Sequence, residues 1–262
     1  MRGILGGTGF YRMTELTAVR RQVVRTPYGL PSGAVTFGRI GGCDEIAFMP
    51  RHGYSHSLAP HAINYRANLW ALHQVGVRRV VAVSSTGSLH EDWMPGSLVV
   101  PDQIIDYTWG REVTFVEDQH GQEVVQVDMT LPYSERLRQE LIAAGAASGE
   151  TLIVGATYGC TQGPRLETAA EIRRMQRDGC DLVGQTAMPE AALARELGMA
   201  YCALCVVTNH AAGIAESRER VAYAQVEQGV ALAMRSVQRL LGTWCQIDAK
   251  AQGVAAEPTP AG

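Results

Sequence analysis

The amino-acid sequence predicts an α/β protein, a single domain in which a mixed, partly parallel sheet is flanked by helices. Continuous apolar runs, which are typical of strands buried on both faces, alternate with segments whose apolar residues recur every three to four positions. Several runs with more polar residues indicate that the sheet is mixed rather than purely parallel. Because 46% of its 262 residues are hydrophobic, the chain is long enough to bury a large core.

Strands and helices alternate through most of the chain. Apolar runs predict strands at residues 3–5, 45–49, 79–85, 97–100, 151–158 and 200–208. Helical periodicity covers residues 61–76, 134–147, 167–178, 189–197 and 218–241. No linker divides the chain before residue 248, so we predict one domain over residues 1–247. Residues 248–262 are small and polar, which predicts a disordered tail.

The charge balance points to small-molecule partners. The formal net charge is −3, which provides no basic field for nucleic acid or an anionic membrane surface. No signal-peptide pattern is present, and no stretch approaches the roughly 18 apolar residues that a membrane span requires. We therefore expect a soluble cytoplasmic protein that binds neither nucleic acid nor membrane.

The six cysteines are scattered through apolar or helical segments, which favours buried free thiols over a disulfide framework. Cys202 and Cys205 have a spacing that can ligate zinc, but they lie in a predicted strand. Residues three apart on a strand face opposite sides of the sheet, and the sequence has no second pair with this spacing. We therefore expect no metal site.

The first predicted strand runs into a glycine-rich loop, Gly-Gly-Thr-Gly at residues 6–9. Such a loop commonly aims backbone N–H groups at an anion. A dinucleotide fold requires a third glycine and an acidic residue about 20 positions later, and both are missing. A P-loop requires a lysine after its last glycine, whereas the only lysine is Lys250. An anion-binding loop and a purely structural turn both stay open at this point.

Five further segments carry polar residues where a predicted strand or loop ends. These residues are Arg51 and His52, Ser84 and Ser85, Glu167, Thr186, and Asn209. Ligands in α/β sheets collect at the carboxyl ends of strands, so we expect one shared rim. An arginine beside a histidine suits an oxyanion, as do hydroxyls beside free amides. Purely structural interpretations are also open. Arg51 and His52 could be solvated loop residues, Glu167 a charge in the first turn of a helix, and Asn209 a helix cap.

Taken in order, these segments resemble the purine nucleoside phosphorylase family, in the branch of methylthioadenosine and methylthioinosine phosphorylases. The resemblance runs from about residue 3 to 242 through GILGGTGFY, RHGYSH, HAINYRANLWAL, STGSL, QGPRLETAAEI, MPEAALARELG and VVTN. It implies a homotrimeric enzyme that cleaves the N-glycosidic bond of a nucleoside with orthophosphate. Orthophosphate is then a co-substrate, and we expect no metal or organic cofactor.

The resemblance assigns phosphate binding to residues from four segments: Thr8, Arg51, His52, Ser84, Ser85 and Thr186. It implies that these donors, with one full positive charge, hold a phosphate dianion under the ribose C1′. As the bond from C1′ to N9 stretches, the sugar becomes oxocarbenium-like and the phosphate collects it. Thr186 and Asn209 are the residues implied in the reaction itself, Asn209 by hydrogen bonding at N7 of the leaving purine.

Base choice follows from Glu167 and Asn209, which match the glutamate and asparagine of 6-oxopurine phosphorylases. An asparagine amide can donate to O6 while its oxygen accepts from a protonated N7, and a carboxylate can accept from N1–H. Adenine would place a bare N1 acceptor against the carboxylate, which is unfavourable. We therefore expect hypoxanthine and guanine rather than adenine. Methylthioadenosine enzymes instead carry a smaller hydroxyl residue and an aspartate at these positions.

The sugar end departs from the family pattern. The family's methionine before the phosphate threonine is replaced by Gln185, which leaves open a hydrogen bond to ribose, a reshaped pocket or weaker activity. The other residues implied here are Leu166 and Ala211 for the purine and ribose, and Val221 and Tyr223 for an apolar pocket that suits a 5′-methylthio group. Near Gln126, the aromatic ring or histidine that a neighbouring family subunit lends is absent.

These features together predict phosphate-dependent cleavage of S-methyl-5′-thioinosine to hypoxanthine and S-methyl-5-thioribose 1-phosphate, a purine-salvage reaction. The alternatives within the class are a methylthioadenosine phosphorylase and a general 6-oxopurine nucleoside phosphorylase. Outside it, Gln185 leaves room for a nucleoside binder without turnover. A hydrolytic nucleosidase is less consistent with the residues, because Thr8, Arg51 and His52 would then have no anion to bind.

Overall fold

Eleven strands of the described chain form one mixed sheet. The computed structural model describes residues 1–7, 17–41, 45–116, 126–221 and 223–247. The strands are β1 (Arg2–Gly6), β2 (Thr17–Gln22), β3 (Val35–Arg39), β4 (Ile46–Pro50), β5 (Arg79–Ser88), β6 (Leu98–Val100), β7 (Gln103–Asp106), β8 (Leu152–Val154), β9 (Thr157–Cys160), β10 (Leu182–Gly184) and β11 (Ala200–His210). The helices are α1 (Tyr65–Gln74), α2 (Glu135–Ser148), α3 (Ala169–Asp178), α4 (Ala187–Glu196) and α5 (Tyr223–Ile247), with 3₁₀ turns at Pro60–Ala62 and Ala215–Ser217.

The centre of the sheet is parallel. Strand β1 lies between β4 and β5, and β11 pairs with the other side of β5, all in the same direction. These strands are apolar and buried almost throughout, as expected where helices cover both faces of a parallel sheet. Their carboxyl ends therefore lie side by side at one edge of the sheet.

Antiparallel pairs extend this centre. Strand β10 runs antiparallel to β5, β6 runs antiparallel to β11, and β3 pairs in the antiparallel sense with both β4 and β2. The predicted single-domain α/β class with a mixed sheet is thus confirmed. The predicted strand segments do not cover β2, β3, β7 or β10. Strand β2 lies at an edge of the sheet and carries Arg20, Arg21 and Gln22, so it lacks the apolar run by which buried strands are recognised.

Several predicted elements have different bounds in the structure, among them the helix predicted at 218–241, which spans Tyr223–Ile247. The strand predicted at 151–158 is divided into β8 and β9, because Gly155 between them has a φ of +83°, which lies outside strand geometry. The helix predicted from residue 61 begins at Tyr65. The side chain of Asn64 caps it there by accepting a hydrogen bond from the Ala67 amide (3.0 Å).

Two large apolar clusters cover the two faces of the sheet. One packs α1 and α4 against the strands, and the other packs α2 and α5 against the opposite face. Cys205 belongs to the first cluster and Cys202 to the second, so the prediction that they face opposite sides of a strand is confirmed. Within the described ranges, Cys160, Cys180, Cys202 and Cys205 are buried free thiols, and Cys245 is also buried.

The tail predicted to be disordered, residues 248–262, lies outside the described residues. Of the helices that the structure describes, none has the length and apolar character needed to cross a membrane. The cytoplasmic location stays a prediction.

Candidate active site

Most residues expected to contact substrate line one cavity of about 170 Å³ at the carboxyl ends of the central strands. They are Arg51, His52, Ser84, Ser85, Leu166, Glu167, Gln185, Thr186, Asn209, Ala211 and Val221. Thr8 and the side chain of Tyr223 lie outside what the structure describes. A neighbouring cavity of about 470 Å³ shares Glu167 with this one, but its described lining contains none of the other predicted residues.

The end of β1 requires glycine at residue 7. The Gly7 amide donates a hydrogen bond to the Val83 carbonyl of β5 (3.1 Å). A Cβ atom at this position would lie 2.7 Å from that carbonyl oxygen and 2.8 Å from Nη1 of Arg51. Because no side chain fits there, glycine allows the strand end and the guanidinium to approach each other.

The guanidinium of Arg51 is fully buried directly after β4 and is paired with a carboxylate of α4. Its Nε and Nη2 donate to the two oxygens of Glu190 (2.5 and 3.0 Å), and its Nη1 donates to the Val83 carbonyl (3.0 Å). Glu190 is also buried and accepts a third hydrogen bond from the Tyr201 hydroxyl (2.8 Å). Burial disfavours the cation, but the attraction of Glu190 outweighs this penalty and raises the pKa of Arg51 above its ordinary value.

This ion pair corrects the expectation of one full positive charge at the phosphate end. The charge of Arg51 is compensated by Glu190 at hydrogen-bond distance, so the cavity wall offers N–H donors rather than a net cation. Glu190 itself is a residue that the sequence-based reasoning missed. The available signal was its position four residues after Thr186, because a buried arginine requires a buried acceptor of opposite charge.

His52 is neutral at physiological pH. Burial, followed by repulsion from Arg51, lowers its pKa to about 4. Its Nδ1 lies 2.8 Å from the Leu58 carbonyl, so the tautomer that this partner favours carries the proton on Nδ1. In that tautomer Nε2 is an acceptor, so His52 adds no positive charge to this end of the cavity.

Hydroxyl groups from two segments meet beside Arg51. Ser84 of β5 and Thr186 are both buried, and their Oγ and Oγ1 atoms are 3.4 Å apart. Thr186 directly precedes α4, in which Met188 interrupts the helical backbone with extended angles, and the Thr186 hydroxyl makes no capping hydrogen bond. The hydroxyl can therefore turn toward a ligand. Ser85 is half-buried and lines the same cavity.

Glu167 lies just outside helix α3 rather than in its first turn. The helix begins after Thr168, whose side chain forms a capping box with Glu171. Oε1 of Glu167 accepts a hydrogen bond from the Thr161 hydroxyl (2.5 Å). Thr161 was not predicted, and no motif marks it. Its hydrogen bond engages one carboxylate oxygen, so the other is the acceptor available to a ligand.

Asn209 follows a bulge near the end of β11, and its side-chain amide is oriented by its neighbours. Oδ1 accepts from the Thr208 hydroxyl (2.9 Å), and Nδ2 donates to the His210 carbonyl (2.7 Å). These partners distinguish the oxygen from the nitrogen. Each atom retains one hydrogen-bonding position, so the amide can offer an acceptor and a donor side by side.

Gln185 is tied to the loop that carries Glu167. Its Nε2 donates to the Arg165 carbonyl (3.0 Å). A Cβ atom at Gly163, whose φ is +62°, would overlap the Gln185 side chain. Of the three consequences left open by the sequence, this arrangement favours a reshaped pocket wall, since the Gln185 amide is used to join two segments of protein.

The sequence profile of the phosphorylase superfamily matches residues 1–243. This chain belongs to the phosphorylase superfamily. The family assignment made from the sequence motifs is confirmed by that match, and the chain is an enzyme of the purine nucleoside phosphorylase type.

Relatives within the superfamily are similar over most of their length. A probable S-methyl-5′-thioinosine phosphorylase of Xanthomonas campestris is 50% identical over 91% of this chain and 94% of its own. A 6-oxopurine nucleoside phosphorylase of Pyrococcus furiosus is 46% identical over 80% of both chains. Among solved structures, a methylthioadenosine phosphorylase of Schistosoma mansoni in complex with adenine has a TM-score of 0.88, with 32% identity over 94% of this chain and 90% of its own.

The buried ion pair of this phosphorylase predicts strong coupling between Arg51 and Glu190. We expect Glu190→Gln alone to lower the free energy of unfolding by about 3 kcal/mol, because it leaves a buried cation without its counter-charge. Arg51→Met alone should have a similar effect, and the double variant should lose clearly less than the sum. Urea unfolding of all four proteins measures this, and additive losses would contradict it.

The neutral state of His52 predicts a specific loss of stability in acid. Its pKa is about 4 in the folded protein and 6.5 as the ordinary value, so the unfolded chain binds more protons between these limits. The stabilisation is fully present above pH 6.5 and is lost as the pH falls toward 4. His52→Asn keeps a donor for the Leu58 carbonyl but has no group that titrates in this range. The free energy of unfolding of the unmodified protein should therefore fall by about 3 kcal/mol more than that of His52→Asn between these pH values. Urea unfolding at each pH measures this, and the same pH dependence of the free energy of unfolding in both proteins would refute the neutral state of His52.

Proposed function

We propose that this phosphorylase cleaves the N-glycosidic bond of S-methyl-5′-thioinosine with orthophosphate, releasing hypoxanthine and S-methyl-5-thioribose 1-phosphate. The observation that carries the proposal is the presence of Glu167 and Asn209 in one cavity with the hydroxyls and guanidinium of the strand ends. The names of the relatives from Xanthomonas campestris and Pyrococcus furiosus support the same class of base.

At the phosphate end, hydrogen bonds supply the recognition. The donors proposed are Arg51, Ser84, Ser85 and Thr186 of the cavity, with Thr8 of the glycine-rich loop as the family resemblance implies. Nε2 of His52 can accept the proton of a hydrogen phosphate. Because Glu190 compensates Arg51, the anion keeps its own negative charge, which can stabilise an oxocarbenium-like ribose beside it.

The proposed reaction needs no metal or organic cofactor. A phosphate oxygen forms the new bond to C1′, and the electron pair of the broken C1′–N9 bond passes to the purine. A proton from solvent neutralises the purine at N7, where Oδ1 of Asn209 accepts a hydrogen bond from the resulting N7–H. Orthophosphate is thus both the nucleophile and the second substrate.

At the base end, the donor and acceptor pattern favours a 6-oxopurine. The free hydrogen of Asn209 Nδ2 can donate to O6 while the free oxygen of Glu167 accepts from N1–H. With adenine, the unprotonated N1 would face that carboxylate oxygen, so two acceptors would meet. The amino group of adenine would face the N–H of Asn209, so two donors would meet. An unpaired buried polar group costs about 1–3 kcal/mol, which corresponds to roughly a tenfold to hundredfold preference.

At the sugar end, the 5′ substituent is proposed to be apolar. Val221 lines the described part of the cavity, and Tyr223 begins helix α5 two residues later. An apolar side chain such as that of Val221 suits a thioether methyl group and offers a hydroxyl no hydrogen bond. This supports methylthioinosine over inosine.

We propose that the chain is a homotrimer. The family resemblance implies this assembly. Large apolar side chains are also exposed along one stretch of sequence: Trp109 is 73% exposed, Val113 51% and Leu131 57%. Contact with another copy would remove these side chains from water.

The first prediction for this proposal concerns base release, measured by chromatography for methylthioinosine, inosine and methylthioadenosine with and without phosphate. We expect phosphate-dependent release that is fastest from methylthioinosine. Faster adenine release would indicate a methylthioadenosine phosphorylase, and release without phosphate a hydrolase. Tight nucleoside binding with no release would indicate a binding protein.

Two variants test whether Glu167 selects the base. Glu167→Ser removes the acceptor for N1–H, so the ratio of kcat/KM for methylthioinosine to that for methylthioadenosine should fall by roughly tenfold or more. Glu45→Gln, on the ion pair with Arg20 and away from the described cavity, should leave the ratio unchanged. An unchanged ratio in Glu167→Ser would remove Glu167 from base selection.

The proposed trimer can be tested by the mass of the particle in solution. Sedimentation velocity should give a particle with the mass of three chains of 28.3 kDa each. Trp109→Glu should shift the distribution toward smaller particles if this side chain is covered in the trimer. A single-chain mass for the unmodified protein would refute the trimer.

A further inference from the structure

Arg111 lies in the segment after β7 and does not line the described cavity, yet its guanidinium contacts both sides of the active site. On one side, Nε donates to Gln162 Oε1 (3.2 Å), and Nη2 donates to the carbonyls of Thr161 and Gln162 (3.2 and 2.8 Å). On the other side, Nη1 donates to the carbonyls of Gln185 and Met188 (2.9 and 2.5 Å). A further acceptor of Nη1, the Tyr65 hydroxyl, lies 3.1 Å away.

These two groups of acceptors belong to the two halves of the proposed site. Thr161 and Gln162 begin the loop that ends at Glu167, and the Thr161 hydroxyl holds that carboxylate. Gln185 immediately precedes Thr186, and Met188 lies two residues before Glu190, which holds Arg51. One side chain therefore joins the base-reading loop to the phosphate-binding segment.

The chemistry of the contacts requires arginine. Strands β9 and β10 are parallel neighbours that end at Cys160 and Gly184, so the carbonyls just beyond them are no longer paired along the ladder. A planar guanidinium has five N–H donors in a fixed fork, which lets it contact oxygens on two sides at once, with the three oxygens near Nη1 sharing its two hydrogens. Lysine has three donors on one nitrogen and cannot reach both groups at once.

The positive charge of Arg111 is committed to these oxygens. Among the described residues, its partners are carbonyl, amide and hydroxyl oxygens, with no carboxylate at ion-pair distance. Hydrogen bonds from a charged donor to neutral carbonyls are stronger than neutral ones. One more hydrogen bond joins the same two segments, from Gln185 Nε2 to the Arg165 carbonyl (3.0 Å).

We propose that Arg111 is a positioning residue that couples the base half of the site to the phosphate half. Because the two segments are held as one unit, a ligand that orders one of them also orders the other. The second ligand then binds with a smaller loss of conformational freedom, which is positive coupling between the two substrates. This inference rests on the proposed function, since it assigns the two halves to purine and phosphate.

The test uses hypoxanthine and inorganic phosphate as probes, because together they bind without turnover when no ribose is present. Isothermal titration gives the Kd of hypoxanthine with and without saturating phosphate for the unmodified protein, Arg111→Lys, Arg111→Ala and Arg239→Ala. Arg239 is an exposed residue of α5 that pairs with Glu150 away from both cavities, and it serves as the matched control. Thermal unfolding of each variant is recorded in parallel.

We expect phosphate to tighten hypoxanthine binding by roughly fivefold or more in the unmodified protein and in Arg239→Ala. In Arg111→Ala and Arg111→Lys the two Kd values should become nearly equal. Guanidinium chloride at low millimolar concentration should restore part of the coupling in Arg111→Ala, whereas equal sodium chloride should not. If Arg111→Ala does not fold, Arg111→Lys carries the comparison.

The outcomes separate this inference from the proposed function. Retained coupling in a folded Arg111 variant would overturn the role of Arg111 while leaving the proposed function standing. The same holds if the unmodified protein binds both probes without coupling. If the unmodified protein binds neither hypoxanthine nor phosphate, the proposed function itself fails. A loss of thermal stability with unchanged coupling would identify Arg111 as a structural residue only.

Discussion

The buried pair of Arg51 and Glu190 is the interaction on which the rest of the site depends. A guanidinium without solvent contact must find oxygens for its donors, and a buried carboxylate must find donors for its oxygens. These requirements bring together the end of β4, the carbonyl of Val83 on β5, the start of α4 and Tyr201 on β11. They also exclude any side chain at Gly7. Because four elements meet at one ion pair, the strand ends that surround the cavity are held in a single arrangement.

The same pair determines the electrostatic character of the anion end. With Arg51 compensated and His52 neutral, the phosphate binding that we propose relies on directed hydrogen bonds from N–H and O–H groups rather than on excess positive charge. Such a site neutralises less of the negative charge of a bound anion than a site with excess positive charge would. For a reaction in which positive charge develops on the neighbouring sugar, retaining the negative charge of phosphate is an advantage.

The base end is organised by a second set of contacts that join neighbouring loops. Thr161 engages one oxygen of Glu167, Thr208 orients the Asn209 amide, and Gln185 reaches across to the Arg165 carbonyl. Selection of a purine by donor and acceptor pattern requires groups whose orientation is set before binding, because a freely rotating amide would read either pattern. The replacement of the family's methionine by Gln185 fits this view, since a polar side chain here links the two loops.

By itself, the sequence determined the fold class, most strands and helices, the superfamily and the strand ends that meet at the cavity. These properties follow from local periodicity and from short motifs at the ends of buried strands. Edge strand β2 was not found, because its polar residues carry no apolar pattern. Three further features emerge from the folded structure: Glu190 compensates Arg51, burial keeps His52 neutral, and Arg111 spans both halves of the site. Charge compensation, burial and convergence of carbonyls depend on distances between residues far apart in the chain, which no local pattern encodes.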